Sequence, residues 1–402
     1  MKRQRTLGFI LTMSLVFATG CWDGTELNDL AIVSGFGMDI KDDGTYLLSA
    51  QIVIPGKTQS SQQGGGGGDN NAYFTKTATG KDVLDASQNI QSKLSRKVFP
   101  GHREDIFIGE ELAKHGVSKV MDEYSRNPDV RLREDVFVVK GGTAEDVLKV
   151  PQPLEKVPAM AALKLHQQIA GLGDVAMAEF LMDASTEGNS PSLPVMEIIS
   201  SPQTDQGQGS ATNETNFAYA GRAVFNKDLK LVGYLDTGEA KYAFWVKGEL
   251  KFLTITGIIP QGGGTVSLDL TKLGRHIQPL LIQGNRIKFY VTLTGQGMIR
   301  ENNTNLDLAE TKNLDLIENE FDKKYEQEVQ QVITKVQQEY KADIFGFGEA
   351  IHRKYPSQWR SLKKNWEAEF SQADVIVKVN LNVKSVGLTG PSLQLKENQI
   401  KK

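Results

Sequence analysis

LDLIENEFDKKYEQEVQQVITKVQQEY, residues Leu314 to Tyr340, carries apolar side chains at Leu314, Ile317, Phe321, Tyr325, Val329, Val332, Val336 and Tyr340. Steps of three and four predict one helix, about 40 Å long at ~1.5 Å per residue, with a buried and a charged face. Val329, Val332 and Val336 fall on the inner face, and Glu326, Gln330, Gln337 and Glu339 on the outer. The pattern lasts fewer than four heptads, so a helix lying across a sheet fits it better than a free coiled coil. Strands flank it. Upstream, Gly264 to Leu270, Arg275 to Ile282 and Arg286 to Met298 read as three strands with Gly284-Asn285 as a turn, and Gly238 to Trp245 as a short helix. Phe217 to Phe225 and Lys230 to Leu235 form a hairpin around Asn226-Lys227-Asp228. Downstream, a helical stretch from Gly346 to Trp366 precedes a last strand, Val375 to Val386. Several strands in succession before one long helix point to an α+β fold with mixed, largely antiparallel sheets and packed helices.

The first half has the same character. Ala31 to Asp39 and Tyr46 to Ile54 alternate about Asp42-Asp43-Gly44, which predicts a β-hairpin. Lys57 to Asn71 contains the run Gly64 to Gly68 and reads as a flexible surface loop. Lys81 to Arg96 is helical, Asp105 to Gly109 a short strand, Glu110 to Ser125 helical, and Arg131 to Lys140 a strand. Ala161 to Ala184 is helix-like, with a break at Gly171-Leu172-Gly173-Asp174. Ser200 to Asn216, SSPQTDQGQGSATNETN, has no large apolar residue and reads as a domain boundary. A chain of 402 residues predicts two or three domains. The division expected is a leader over 1–20, an N-terminal α+β domain over 21–199 that can hold two subdomains, a linker over 200–216, a C-terminal α+β domain over 217–391 and a basic, frayed tail over 392–402.

About 46% of residues are apolar, which excludes global disorder, and a net charge of -3 excludes a general nucleic-acid binder. Cys21 is the only cysteine, so no internal disulfide and no cysteine-clustered metal site can form. Gly35-Phe36-Gly37 lacks the third glycine of a dinucleotide loop, and the Gly64 to Gly68 run lacks the Gly-Lys-Ser/Thr ending of a phosphate loop. His102, His115, His166, His276 and His352 are scattered, and no serine sits in a Gly-x-Ser-x-Gly elbow. The 49 acidic residues form no recognisable acid–base motif. Neither catalytic residues nor a metal or cofactor are expected.

MKRQRTLGFILTMSLVFATG, residues 1–20, places Lys2, Arg3 and Arg5 before an apolar stretch of about 12 residues, which is a signal peptide and too short to span a bilayer. Without its three cations the mature chain has a net charge of -6. Ala18-Thr19-Gly20-Cys21 resembles the bacterial lipobox, with Ala18 where Leu is commoner. The resemblance implies a diacylglyceryl group on the Cys21 thiol, cleavage before it, and an amino terminus open to acylation. Two or three acyl chains hold a protein on a membrane where one is marginal.

CWDGTELNDLAIVSGFGMDI, Cys21 to Ile40, resembles the start of the Ger(x)C family, the lipoprotein C subunits of nutrient germinant receptors in endospore-forming bacteria. Gly101 to Gly141 is similar to the family's N-terminal core, including Gly109-Glu110-Glu111-Leu112-Ala113 and Arg126-Asn127-Pro128-Asp129-Val130-Arg131. Lys341 to Trp366, with Asp343-Ile344-Phe345-Gly346-Phe347-Gly348, Pro356 and Trp359, resembles its C-terminal signature. The resemblance implies a subunit anchored on the outer face of the spore inner membrane, acting with a multi-spanning A subunit and a transporter-like B subunit to trigger germination by small nutrients. It implies no catalytic residues; only the lipidated cysteine carries over, onto Cys21. On physical grounds Gly346 and Gly348 relieve crowding, Pro356 starts a helix, Trp359 and Trp366 belong to a core, and Arg126, Asp129 and Arg131 form a salt-bridge cluster or a partner-facing patch. The competing readings are a lipid-anchored solute-binding protein of a transporter, which needs two α/β lobes around a cleft, and a wall hydrolase, which lacks its motif.

Overall fold

The computed structural model describes residues 26–55, 72–101, 105–127, 132–168, 177–203, 212–282, 286–387, 391–392 and 394–401. The leader, Cys21, the 57–71 loop, Asp129, Arg131, and the expected breaks at 171–174 and 284–285 lie outside them.

The opening hairpin forms as the alternation predicts. β1 (Leu30–Ile40) pairs antiparallel with β2 (Tyr46–Val53), and Gly44 takes the φ of +79° that its tight turn requires. β3 (Tyr73–Gly80), not foreseen from the sequence, adds to β2. α1 (Val83–Gln91) is capped by Asp82, whose carboxylate accepts the Asp85 N–H at 2.8 Å. It leads to β4 (Lys97–Phe99) and β5 (Asp105–Gly109), both parallel to β1. The helix expected over Glu110 to Ser125 is two, α2 (Glu110–His115) and α3 (Ser118–Arg126), because Gly116 at φ +119° ends the first. β6 (Asp135–Lys140), α4 (Ala144–Val147), α5 (Pro158–Gln168) and α6 (Met177–Ser185) follow. β7 (Ser192–Gln203), β8 (Thr212–Phe225) and β9 (Leu231–Leu235) complete a sheet ordered β3-β2-β1-β5-β6-β7-β8-β9, with β4 beside β1. Its centre is parallel and its wings antiparallel. β5 and β6 are apolar and buried on both faces because α1, α2, α3 and α6 cover one side and α4 and α5 the other.

The two ends of the stretch 200–216, residues 200–203 and 212–216, differ from its reading as a linker. Ser200 pairs with Thr215, Ser201 with Glu214, Pro202 with Asn213 and Gln203 with Thr212, all rungs of the β7–β8 ladder. A ladder is built from backbone groups, so the lack of apolar side chains is no obstacle to it. The first sheet therefore continues past 217 to Leu235.

The chain crosses to a second sheet through α7 (Thr237–Lys247), closed by an Asp236/Glu239 capping box and by Gly248 at φ +80°. β10 (Leu253–Ile259), β11 (Gly264–Ile282), β12 (Arg286–Asn302) and, after the helices, β13 (Asp374–Ser385) lie in that order. The two strands expected over 264–282 are one, β11, kinked where Lys272 takes φ +49° and the register shifts between Thr271 and Gly274. β13 runs parallel to β12, and the other pairs are antiparallel.

The long helix is α8 (Thr311–Lys335), extended by a π turn over Val336–Tyr340. Ile317, Phe321, Tyr325, Val329, Val332, Ile333 and Val336 are buried in the core formed with the second sheet. The outer face differs from the exposure expected of it. Glu326, Asp322 and Glu318 accept the edge N–H groups of Val379 (3.2 Å), Leu381 (2.9 Å) and Val383 (2.6 Å) on β13. Four helical residues rise ~6.0 Å and two strand residues ~6.6 Å, so carboxylates spaced by four meet donors spaced by two. At the opposite edge, Lys324 Nζ and Tyr325 OH donate to the Thr256 carbonyl of β10 at 2.8 and 3.3 Å. One helix that reaches both edges of a four-stranded sheet requires that sheet to curl around it. Gln337 is buried rather than exposed and donates to the Phe370 and Ala373 carbonyls. The tail is not free at its end: Lys401 forms a parallel bridge with Leu306.

Candidate functional site

The segment after the π turn builds a joint between the two sheets. Lys341 at φ +53° and Gly346 at φ +80° fold Asp343 back beneath the first turn of α9 (Phe347–Lys354). Asp343 is 2% exposed. Its Oδ1 accepts the N–H groups of Phe345 (3.1 Å), Gly346 (3.0 Å) and Phe347 (3.2 Å), and its Oδ2 those of Gly348 (2.7 Å) and Trp366 Nε1 (3.1 Å). One carboxylate thus satisfies the donors that a helix start leaves open. Burial pushes its pKa up to about 6, against the pull of these N–H groups. α10 (Pro356–Leu362) begins at Pro356, as expected, and α11 (Trp366–Gln372) brings Trp366 to within 5.1 Å of the Trp359 ring. Phe347 stacks on Phe289 of β12 at 4.5 Å, seating the whole segment on the second sheet.

Residues Glu187 to Ser190, from the first half of the chain, close the joint from the other side. Ser190 N–H donates to the Asp343 carbonyl at 2.8 Å, and Trp359 Nε1 to Glu187 at 3.4 Å; Lys363 pairs with Glu187. Gly188, at φ +88°, lies under Trp359, where a Cβ would come within 2.6 Å of the indole. Gly348 faces it, and a Cβ there would stand 3.0 Å from Gly188. Two further ties lie along the same seam. Tyr340 OH donates to the Tyr234 carbonyl at 2.7 Å with its ring over Gly233, and Lys247 of α7 pairs with Asp183 of α6 at 2.8 Å. Arg222, 2% exposed, donates to the Ser192 carbonyl at 2.8 Å and lies 4.7 Å from the Phe244 ring.

The residues singled out in the sequence distribute unevenly over this geometry. Trp359 and Trp366 are core, Gly346 and Gly348 sit at the joint, and Asp343, which organises it, was passed over as part of a string. An acidic residue before Gly-x-Gly at a helix start was the available signal. Arg126 is exposed and pairs with Asp122 on its own helix at 2.9 Å; its expected companions Asp129 and Arg131, like Cys21, lie outside the described residues. Among the described residues, no three His, Cys, Asp or Glu side chains converge as a metal set, and no helix is long and apolar enough to cross a membrane.

Residues 23–198 match the domain family described as "Spore germination protein N-terminal domain", and residues 220–387 match "Spore germination B3/ GerAC like, C-terminal". The chain belongs to the GerAC-like family of spore germination proteins. Spore germination protein KC of Bacillus subtilis (strain 168) is 28% identical over 397 residues, covering 96% of this chain and 97% of its own length. Spore germination proteins B3 and A3 of the same organism are 24% and 25% identical, covering 95% and 97% of this chain and 98% and 99% of their own. The crystal structure of the GerBC protein superposes with a TM-score of 0.54 at 21% identity, over 87% of this chain and 97% of that one. The family's mixed fold with its long C-terminal helix is therefore shared. The division between the two family domains, 198 to 220, falls at the β7–β8 hairpin of the first sheet.

Proposed function

We infer that this GerAC-like chain is the C subunit of a nutrient germinant receptor, anchored through lipid on Cys21 to the outer face of the spore inner membrane. It works with the A and B subunits to trigger germination by small nutrients, and acts through contacts rather than catalysis. The observation that carries the reading is the match to both family domains, in order and over nearly the whole mature length, alongside relatives named as spore germination proteins KC, B3 and A3. The joint supports a contact role. It consists of packed aromatics and hydrogen bonds between the two halves of the chain, which serve to fix two units relative to each other rather than to hold a substrate. The alternative of a solute-binding protein gains no support, since that class needs two lobes with parallel sheets and the second sheet here has one parallel pair, β12–β13, beside two antiparallel ones.

The test is deletion in the parent organism, complemented with the natural chain or with Cys21→Ala, and germination scored across a nutrient panel. Deletion is expected to abolish the response to at least one nutrient while dipicolinate chelate still germinates the spores. The Cys21→Ala protein is expected in the soluble fraction after disruption. Unchanged nutrient responses after deletion would refute the receptor role, and membrane retention of Cys21→Ala would refute the anchor.

A further inference from the structure

β1 enters the first sheet at Leu30, and three kinds of side chain gather at that end. Leu30 pairs with Lys97, which places the turn after α1 there, with Arg96 and Lys97 exposed on it; the Lys93 ammonium lies farther along the sheet, donating to the Thr77 carbonyl at 2.8 Å. Val53 pairs with Tyr73, so the start of β3 is at the same end, with Phe74 37% exposed. Tyr73 OH donates to the Lys149 carbonyl at 3.3 Å, which brings in the loop that follows, where Leu154 is 95% exposed. Leu132, 44% exposed, lies just ahead of β6, whose Asp135 starts level with Gly35 of β1 through Asp105. Single exposed apolar residues are common. Here they share one end of a sheet with the cations Arg96 and Lys97, opposed locally by Glu26 and Asp29 on the leading turn.

Cys21 stands five residues before Glu26, a reach of at most ~18 Å in extended chain. We propose that this end of the first sheet rests on an anionic lipid surface, with Phe74 and Leu154 at headgroup depth and Arg96 and Lys97 against the headgroups. The proposal rests on the reading of Cys21 as a lipid anchor and adds to it an orientation. A short tether from a fixed point brings this end to the surface, and apolar tips flanked by cations match the chemistry of an anionic bilayer interface. Each cation near such a surface strengthens contact about fivefold, so the two together contribute roughly twenty-five-fold. The far end of β1, the Lys41 to Asp43 turn, stands ~36 Å away along 11 strand residues and serves as the reference.

The experiment uses the full lipidated protein in phosphatidylcholine vesicles containing phosphatidylglycerol. Single cysteines at Phe74→Cys, Leu154→Cys and, for the far end, Asp42→Cys carry a polarity-sensitive fluorophore; the chain offers no other thiol once Cys21 is acylated. Labels at 74 and 154 are expected to shift to the blue and to be quenched by nitroxide-bearing lipids at least fivefold more than the label at 42. Combining Arg96→Gln and Lys97→Gln is expected to bring them down toward the reference. Equal quenching at all three positions, in protein that floats with the vesicles, would overturn the orientation and leave the anchor standing. Protein that fails to float would overturn both.

Discussion

Asp343 holds five donors with one side chain and has its pKa raised by burial, so two opposite consequences meet at this residue. Asp343→Ala strands those donors in a buried site and is expected to cost about 3 kcal/mol or more, read from denaturant midpoints. The pH dependence has the opposite sign from ordinary acid denaturation. Asp343, Asp39 and Asp322 each have a folded pKa of about 6 against the ordinary 3.8, chiefly through burial. The folded chain thus binds these protons more tightly than the unfolded chain does. Their stabilising effect is complete below about pH 4 and lost as pH rises through about 6. The melting temperature is expected to rise as pH falls from 7.5 to 5.5, and to rise less in Asp343→Ala. A steady fall over that window would show that these carboxylates do not govern stability.

The long helix separates what periodicity can and cannot say about an element. Val332→Asp puts an unpaired carboxylate between α8 and the second sheet and is expected to unfold this unit at a cost of several kcal/mol. Glu326→Lys, neutral on a helical wheel, sets a cation against the Val379 N–H and is expected to cost about 1–2 kcal/mol. Gln327→Lys, on the exposed face next to it, should change stability by less than about 0.5 kcal/mol. Equal melting of the last two would mean that the carboxylate row does not hold the strand edge. The inner face of α8 was legible because apolar spacing records burial directly. The outer row was not, because a carboxylate that faces water and one that faces a strand edge are the same letter.

In the whole molecule, the two sheets meet where glycine lets backbone approach indole. Gly188→Val adds a branched side chain at φ +88° under Trp359 and is expected to split the calorimetric transition of the natural chain into two, the lower one at least several degrees below the original. The far-ultraviolet spectrum at 25 °C should remain that of folded sheets and helices. A single unchanged transition would show that the joint does not couple the units.

Local pattern by itself determined the opening hairpin, the long helix with its inner face, the last strand, and the α+β class with strands running ahead of that helix. Each of these follows from periodicity or turn chemistry within a short window. The strings from Gly101 to Gly141 and Lys341 to Trp366 carried the family. Only the tertiary structure decided that Ser200 to Gln203 and Thr212 to Asn216 are paired strands, that β3 and β7 exist, and that Asp343 is the centre of a joint with Glu187 to Ser190. Those features rest on partners far apart in the chain, about 150 residues for Ser190 and Asp343 and 176 for Glu187 and Lys363. Hydrogen bonds between distant backbone groups leave no period in the sequence.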